Sequence, residues 1–165
     1  MIRKATLDDL EEIVTIICQV KQLMTEGGNP QWNSEYPGEK EYREDIRNGE
    51  LYVEDSDGTI AGFMTVNAVF PKEYATVRWN TCLPAYTIHR LAVNPNYRRG
   101  GTARKLFDYA ENISRQKEVY NIRLDTFSLN TAAQKLFERN GYEFAGEIYM
   151  KGRTIPYRCY ENSLD

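Results

Sequence analysis

Apolar positions along the chain alternate between helical spacing and strand-like runs, and turn residues separate them. Residues 2–5 read as a short strand. Thr6 then caps a helix whose residues Leu10, Ile13, Val14, Ile17, Val20 and Met24 share one face. A Gly/Pro-containing loop over 27–38 precedes a short helix over 39–48, with Gly49 as its stop. Residues 51–54, an Asp57-Gly58 turn and residues 60–69 form a hairpin pattern. A strand over 85–93 leads into a helix over 101–117, whose residues Ala103, Leu106, Phe107, Ala110 and Ile113 recur at helical spacing. A strand over 122–127 and a helix over 131–140 ending at Gly141 follow. A terminal hairpin over 142–149 and 155–160 completes the pattern.

The strand-helix-strand unit over 85–127 predicts a right-handed parallel crossover. The hairpins on either side predict antiparallel pairing. The expected class is α/β: a mixed, mainly antiparallel sheet with a central parallel crossover, flanked by helices. With 165 residues and no repeat or linker, the chain reads as a single domain over 1–165.

Composition narrows the function classes. The chain is 41% hydrophobic and 27% charged, as in ordinary soluble globular proteins. No apolar run approaches a membrane span, and Asp8, Asp9, Glu11 and Glu12 interrupt any leader-like N-terminus. The net charge of −3 (21 basic against 24 acidic) argues against nucleic acid as a partner. Cys18, Cys82 and Cys159 are odd in number and widely spaced, which reads as reduced thiols and a cytoplasmic location. One histidine and no paired cysteines leave no metal site to expect.

Candidate chemistry concentrates at Leu91-Ala92-Val93-Asn94-Pro95-Asn96-Tyr97-Arg98-Arg99-Gly100-Gly101-Thr102-Ala103. An apolar strand enters a basic, glycine-containing turn and a helix starts at once. Backbone N–H groups at a helix start lack intrahelical partners and carry the positive end of the dipole. Gly100 and Gly101 let a ligand approach without a Cβ in the way, and Arg98 and Arg99 add charge. A di- or triphosphate-like anion suits such a turn. Neither the nucleoside-triphosphate loop nor the dinucleotide fingerprint is present.

The run Arg98-x-x-Gly101-x-Ala103 after that strand resembles the pyrophosphate-binding signature of the GNAT superfamily of acyl-CoA-dependent N-acetyltransferases. The order of elements is similar to the GNAT fold over nearly the whole chain. So is the second segment, Asn130-x-x-Ala133 leading to Leu136-Phe137 and Gly141-Tyr142. The resemblance implies acetyl-CoA as cosubstrate, held by the backbone of Leu91, Ala92 and Val93 and by Arg98, Arg99, Gly100, Gly101, Thr102 and Ala103. It also implies a contact of Asn130 with the pantetheine arm and a place for Phe137 beside it. The Asn130 side chain is equally suited to capping the following helix. The implied reaction is direct attack of a primary amine on the thioester in a ternary complex. A catalytically silent acyl-CoA-binding sensor or scaffold is the alternative.

Phe137 departs from the family, where many relatives place a tyrosine that protonates the leaving thiolate. Protonating a thiol of pKa about 8.5 near neutral pH is worth about 2 kcal/mol at most, whereas freeing an amine of pKa about 10.4 costs about 4.6 kcal/mol. Base assistance is therefore the larger need. His89, the only histidine, lies on the strand before the turn and is the candidate base. Strict alternation would place Thr87, His89, Leu91 and Val93 on one face. Tyr149 and Tyr157 are alternative acids. Trp32, Tyr36, Tyr74, Trp79 and Tyr86 are candidate linings of an acceptor pocket. The expected acceptor is a small molecule or peptide amine, and a homodimer is compatible with the sequence.

Overall fold

The computed structural model describes residues 1–164. Seven strands form a mixed sheet in the order β1-β2-β3-β4-β5-β7-β6. The helices are α1 (Leu10–Glu26), α2 (Glu39–Arg47), α3 (Thr102–Gln116) and α4 (Thr131–Arg139). Contacts divide the chain into two compact units, Met1–Val66 with His89–Ala110 and Asn67–Ile88 with the residues from Glu111 onward.

In the first unit, β1 (Ile2–Lys4), β2 (Leu51–Ser56) and β3 (Thr59–Asn67) pair antiparallel in sequence order. The hairpin turn is where the sequence places it. Asp57 and Gly58 both adopt positive φ, 53° and 84°, as a two-residue turn matched to strand twist requires. The Asp9 carboxylate accepts the Thr6 N–H at 2.7 Å, but residues 7–9 form a 3-10 turn and α1 starts only at Leu10. α1 buries Leu10, Ile13, Ile16, Ile17 and Val20, leaving Val14 and Met24 partly buried. The apolar stripe therefore runs through Ile16 rather than Val14. α2 ends at Asn48 and Gly49, whose φ of 69° reverses the chain. Tyr42 of α2 sets its ring edge-on to Phe63 at 5.4 Å within the core.

β4 (Tyr86–Val93) begins in the second unit, where it pairs parallel with β5 (Asn121–Phe127) through Tyr86↔Ile122 and Thr87↔Arg123, and its residues from His89 onward belong to the first. The parallel pairing expected of the crossover is present. β7 (Tyr157–Ser163) pairs antiparallel with β5 over its whole length and with β6 (Glu143–Ile148) on its other side. The terminal hairpin thus exists, with its second strand running to Ser163 and lying between β5 and β6. Tyr74, Phe127, Ile148, Tyr157 and Cys159 form an apolar cluster here. All three cysteines are free, Cys18 and Cys82 exposed and Cys159 buried. No described helix is long and apolar enough to cross a membrane.

Candidate active site

The basic turn is built from β3 upward. The Asn94 N–H donates to the Ala61 carbonyl at 2.9 Å, and its side-chain amide donates to the Ile60 carbonyl at 2.9 Å. The Asn94 carboxamide oxygen accepts the Asn96 N–H at 3.0 Å and closes a short 3-10 turn over Pro95–Tyr97. This buried asparagine fixes where the chain leaves β4, a job its short side chain does well. Arg99 and Gly101 then take positive φ of 69° and 79°, which swing the backbone into α3. The Lys105 N–H bonds the Gly101 carbonyl at 3.0 Å, so the amides of residues 102–104 precede the first closed turn. A Cβ built on Gly101 meets nothing within 4 Å, so the space beside these amides is open.

Charge and packing support the same arrangement. Arg98 and Arg99 are exposed, and neither forms an ion pair among the described residues. Arg104 pairs with Asp108 at 2.9 Å, and Lys105 pairs with the buried Glu54 at 2.7 Å. Thr102 is buried, and its methyl lies 2.7 Å from where a Cβ on Gly62 would be. Gly62 of β3 therefore lets the start of α3 seat directly on the sheet. Nothing in the sequence analysis singled out Gly62. A lone glycine inside a strand pattern was the available signal.

His89, Leu91, Ala92 and Val93 lie on β4 in the same unit as the turn. The strict alternation expected along this strand is not kept. Arg90 has a φ of 50°, a left-handed kink that breaks the period of two between His89 and Leu91. Beyond the kink Ala92 is buried in the core, and Leu91 and Val93 are partly exposed.

Asn130, Phe137, Tyr149 and Tyr157 belong to the second unit. The Asn130 carboxamide accepts the Ala133 N–H at 3.1 Å, so it caps α4 as one of its two expected roles required. Phe137 is buried and packs edge-on against Tyr160 at 5.4 Å. Tyr149 is 60% exposed, whereas Tyr157 is buried against Phe127. Of the aromatic candidates, Tyr74 is buried, stacked on Phe70 and in tilted contact with Trp79, while the Tyr36 hydroxyl accepts from Arg90 at 3.2 Å.

One group was missed outright. Asp125 of β5 stands among apolar neighbours, and burial pushes its carboxyl up to about 6. The Tyr74 hydroxyl donates to its Oδ2 at 2.5 Å and opposes that rise. Burial pushes the Tyr74 phenol well above its ordinary range, and the Asp125 charge pushes it further. The Cys159 thiol, paired opposite Asp125 across β5 and β7, is likewise pushed up by burial. Among the described residues, no group of three or more His, Cys, Asp and Glu side chains is placed to hold a metal ion.

The whole chain is similar to several solved structures. A protein of Staphylococcus aureus Mu50 provisionally described as an acetyltransferase is 29% identical, with a TM-score of 0.79 over 100% of this chain and 99% of that one. A GNAT-family acetyltransferase of Streptococcus agalactiae 2603 is 23% identical, with a TM-score of 0.88 over 100% and 95%. The PaiA N-acetyltransferase of Thermoplasma acidophilum, solved in complex with coenzyme A, is 16% identical, with a TM-score of 0.75 over 99% and 98%. No curated protein matches the chain. The model of the acetyltransferase (GNAT) family matches residues 17–142, which include β4, the basic turn and α4. With its fold and most of its length matched in this way, the chain belongs to the GNAT acetyltransferase family.

Proposed function

We propose that the protein transfers an acetyl group from acetyl-CoA to a primary amine by direct attack in a ternary complex. The carrying observation is the turn over 98–103. It combines left-handed backbone at Arg99 and Gly101, open space beside Gly101, and two arginines without ion pairs among the described residues. These features fit a pyrophosphate, which needs convergent N–H donors and positive charge on a backbone it can approach closely. Backbone groups of Leu91, Ala92 and Val93 would bind the pantetheine arm, and Asn130 and Phe137 would contribute from their own segment. His89 is the proposed base. Thiolate departure would be unassisted or served by Tyr149 or Tyr157, since Phe137 carries no proton. The acceptor is a small molecule or peptide amine, and the proposed location is cytoplasmic.

Calorimetric titration with CoA tests the placement. The wild type should bind saturably, and Arg98→Ala with Arg99→Ala should weaken binding by about tenfold or more, as loss of two charge-assisted contacts predicts. Equal affinity in the folded double variant would reject the turn as the phosphate site. Binding of CoA with no turnover on a broad amine panel would favour the silent-domain alternative.

A further inference from the structure

Asp125 is a carboxylate with no countercharge. None of the described ion pairs includes it, and its protein hydrogen bond comes from the neutral Tyr74 hydroxyl at 2.5 Å on Oδ2. Arg123, two residues earlier on the same face of β5, does not serve it. The Arg123 guanidinium is committed to the Thr81 carbonyl, the Trp79 ring at 4.4 Å and Glu161 at 3.9 Å. The surroundings of Asp125 are apolar: Phe127, Ile148, Tyr157 and Cys159 form one cluster with Tyr74. Charges enclosed by protein are normally paired. Asp125 is nevertheless only partly buried, so solvent still reaches it. A carboxylate that is enclosed, unpaired and reachable is suited to a cation that arrives from outside.

The neighbourhood also describes that cation. Tyr74 holds Oδ2 and leaves Oδ1 to receive a donor. Phe70, 54% exposed, stacks at 6.0 Å on the ring of the tyrosine that holds the carboxylate, and so adds open apolar surface to that ring. An ammonium on an apolar or aromatic stem satisfies both features, whereas a strongly hydrated inorganic cation would leave the apolar surface unused.

Resting on the amine-acetyltransferase reading above, we infer that Asp125, oriented by Tyr74, binds the ammonium of the acceptor, which makes the acceptor a cationic amine with an apolar stem. Asp125 is a binding residue for the acceptor and Tyr74 a positioning residue for Asp125. The Asp125 carboxyl must be ionised to work, with Tyr74 neutral as its donor. The groups that act on it are the Tyr74 hydroxyl from the segment 72–76, the Cys159 thiol from β7 and, through Tyr74, Arg123 on β5 itself. Protonation of the carboxyl at about 6 would remove the site in mild acid.

The test uses the full chain, acetyl-CoA at saturation, and phenethylamine and hexylamine as cationic acceptors. A neutral aromatic amine of low pKa is the control acceptor. Affinity of phenethylamine for the CoA-loaded protein is measured separately by calorimetry. Asp125→Asn keeps the shape and the acceptor for Tyr74. It should raise KM and Kd for the cationic amines by about 10- to 100-fold, the range of a charged hydrogen bond. KM for the neutral amine and for acetyl-CoA should stay within about twofold of wild type by the same reasoning. Kd for phenethylamine should rise as pH falls through about 6 in the wild type. Tyr74→Phe removes the bond that holds the carboxyl down, so that rise should begin at higher pH while kcat changes less. An unchanged Kd in Asp125→Asn, or no binding of any cationic amine to the wild type, would overturn the inference. Binding that depends on Asp125 without turnover on any amine would instead remove the catalytic reading and leave the ammonium site standing.

Discussion

The Arg90 guanidinium closes on the Asp45 carboxylate through Nε at 3.0 Å and Nη2 at 2.7 Å, while the Arg90 backbone is left-handed at φ 50°. Asp45 is 5% exposed and also accepts the Thr65 hydroxyl at 2.7 Å. Desolvation pulls the Arg90 pKa down, but Asp45 and Tyr36 together outweigh it and hold the pKa up. Outside glycine, left-handed backbone costs about 1–2 kcal/mol, so this kink in β4 persists only because surrounding contacts over-determine it. The kink lies one residue after His89, on the strand that leads to the basic turn.

Removing Asp45 should therefore be costly. Asp45→Ala leaves the Arg90 charge without its partner and should destabilise the fold by about 3–5 kcal/mol in denaturant titration. Arg90→Gly relieves the backbone but strands Asp45. The double variant should lose less than the sum of the two single losses, by about 1–3 kcal/mol. Strict additivity would show that the pair does not hold the kink.

Gly62 offers a separate test of how the turn is seated. A Cβ there would meet the Thr102 methyl at 2.7 Å and the Ala92 carbonyl at 3.0 Å. Gly62→Ala should push the start of α3 off the sheet and destabilise the protein by about 1–3 kcal/mol, the usual cost of overpacking. CoA affinity should fall with it. Adding Thr102→Ser removes the methyl and should recover part of both losses, though the Ala92 carbonyl still crowds the site. If Gly62→Ala binds CoA as the wild type does, the turn does not depend on this close approach.

Sequence periodicity was enough for the element order, because α1, α2, α3 and the β2–β3 hairpin are set by local apolar spacing and turn chemistry. The turn over 98–103 was legible for the same reason: its glycines, arginines and helix start are contiguous. Arg90 was not. Ile88-His89-Arg90-Leu91 reads as uninterrupted strand, and the kink depends on a carboxylate 45 positions earlier in the chain. Asp125 was not legible either, since nothing in the strand pattern over 122–127 marks it out. Its character comes from Tyr74, 51 positions away in a loop, and from the apolar cluster around both. Long-range pairing of this kind leaves no period in the sequence.

Asp125 should also shape stability against pH. Its folded pKa, about 6, lies above the ordinary value of 3.8, so the folded state binds this proton more tightly than the unfolded state does. Between those two values the unfolded chain has already released the proton, and stability from this group falls as pH rises. The loss is complete above about pH 6 and amounts to up to about 3 kcal/mol. Asp125→Asn should then be more stable than wild type at pH 7 and should lose the decline between pH 4 and 6. Differential scanning calorimetry across that range decides it. A less stable Asp125→Asn at pH 7 would mean that the carboxylate is a structural asset rather than a charge retained for a ligand.

Proton removal, the role proposed for His89, is the larger chemical demand, since a lysine-like amine is neutral only about once in 2,500 molecules at pH 7. A neutral imidazole can accept the amine proton directly or through ordered water. His89→Ala should lower kcat/KM by about 10²-fold or more, as loss of a positioned base does. The kcat profile of the wild type should show an acid limb that the variant lacks. That limb is separable from the one assigned to Asp125, which appears in amine affinity and survives His89→Ala. CoA affinity should change little, because backbone groups of β4 would hold the cosubstrate. Acceptors of low pKa arrive already deprotonated, so the loss should shrink for them. Wild-type kcat/KM with the same kcat limb in His89→Ala would make this histidine structural and leave proton removal to water or another side chain.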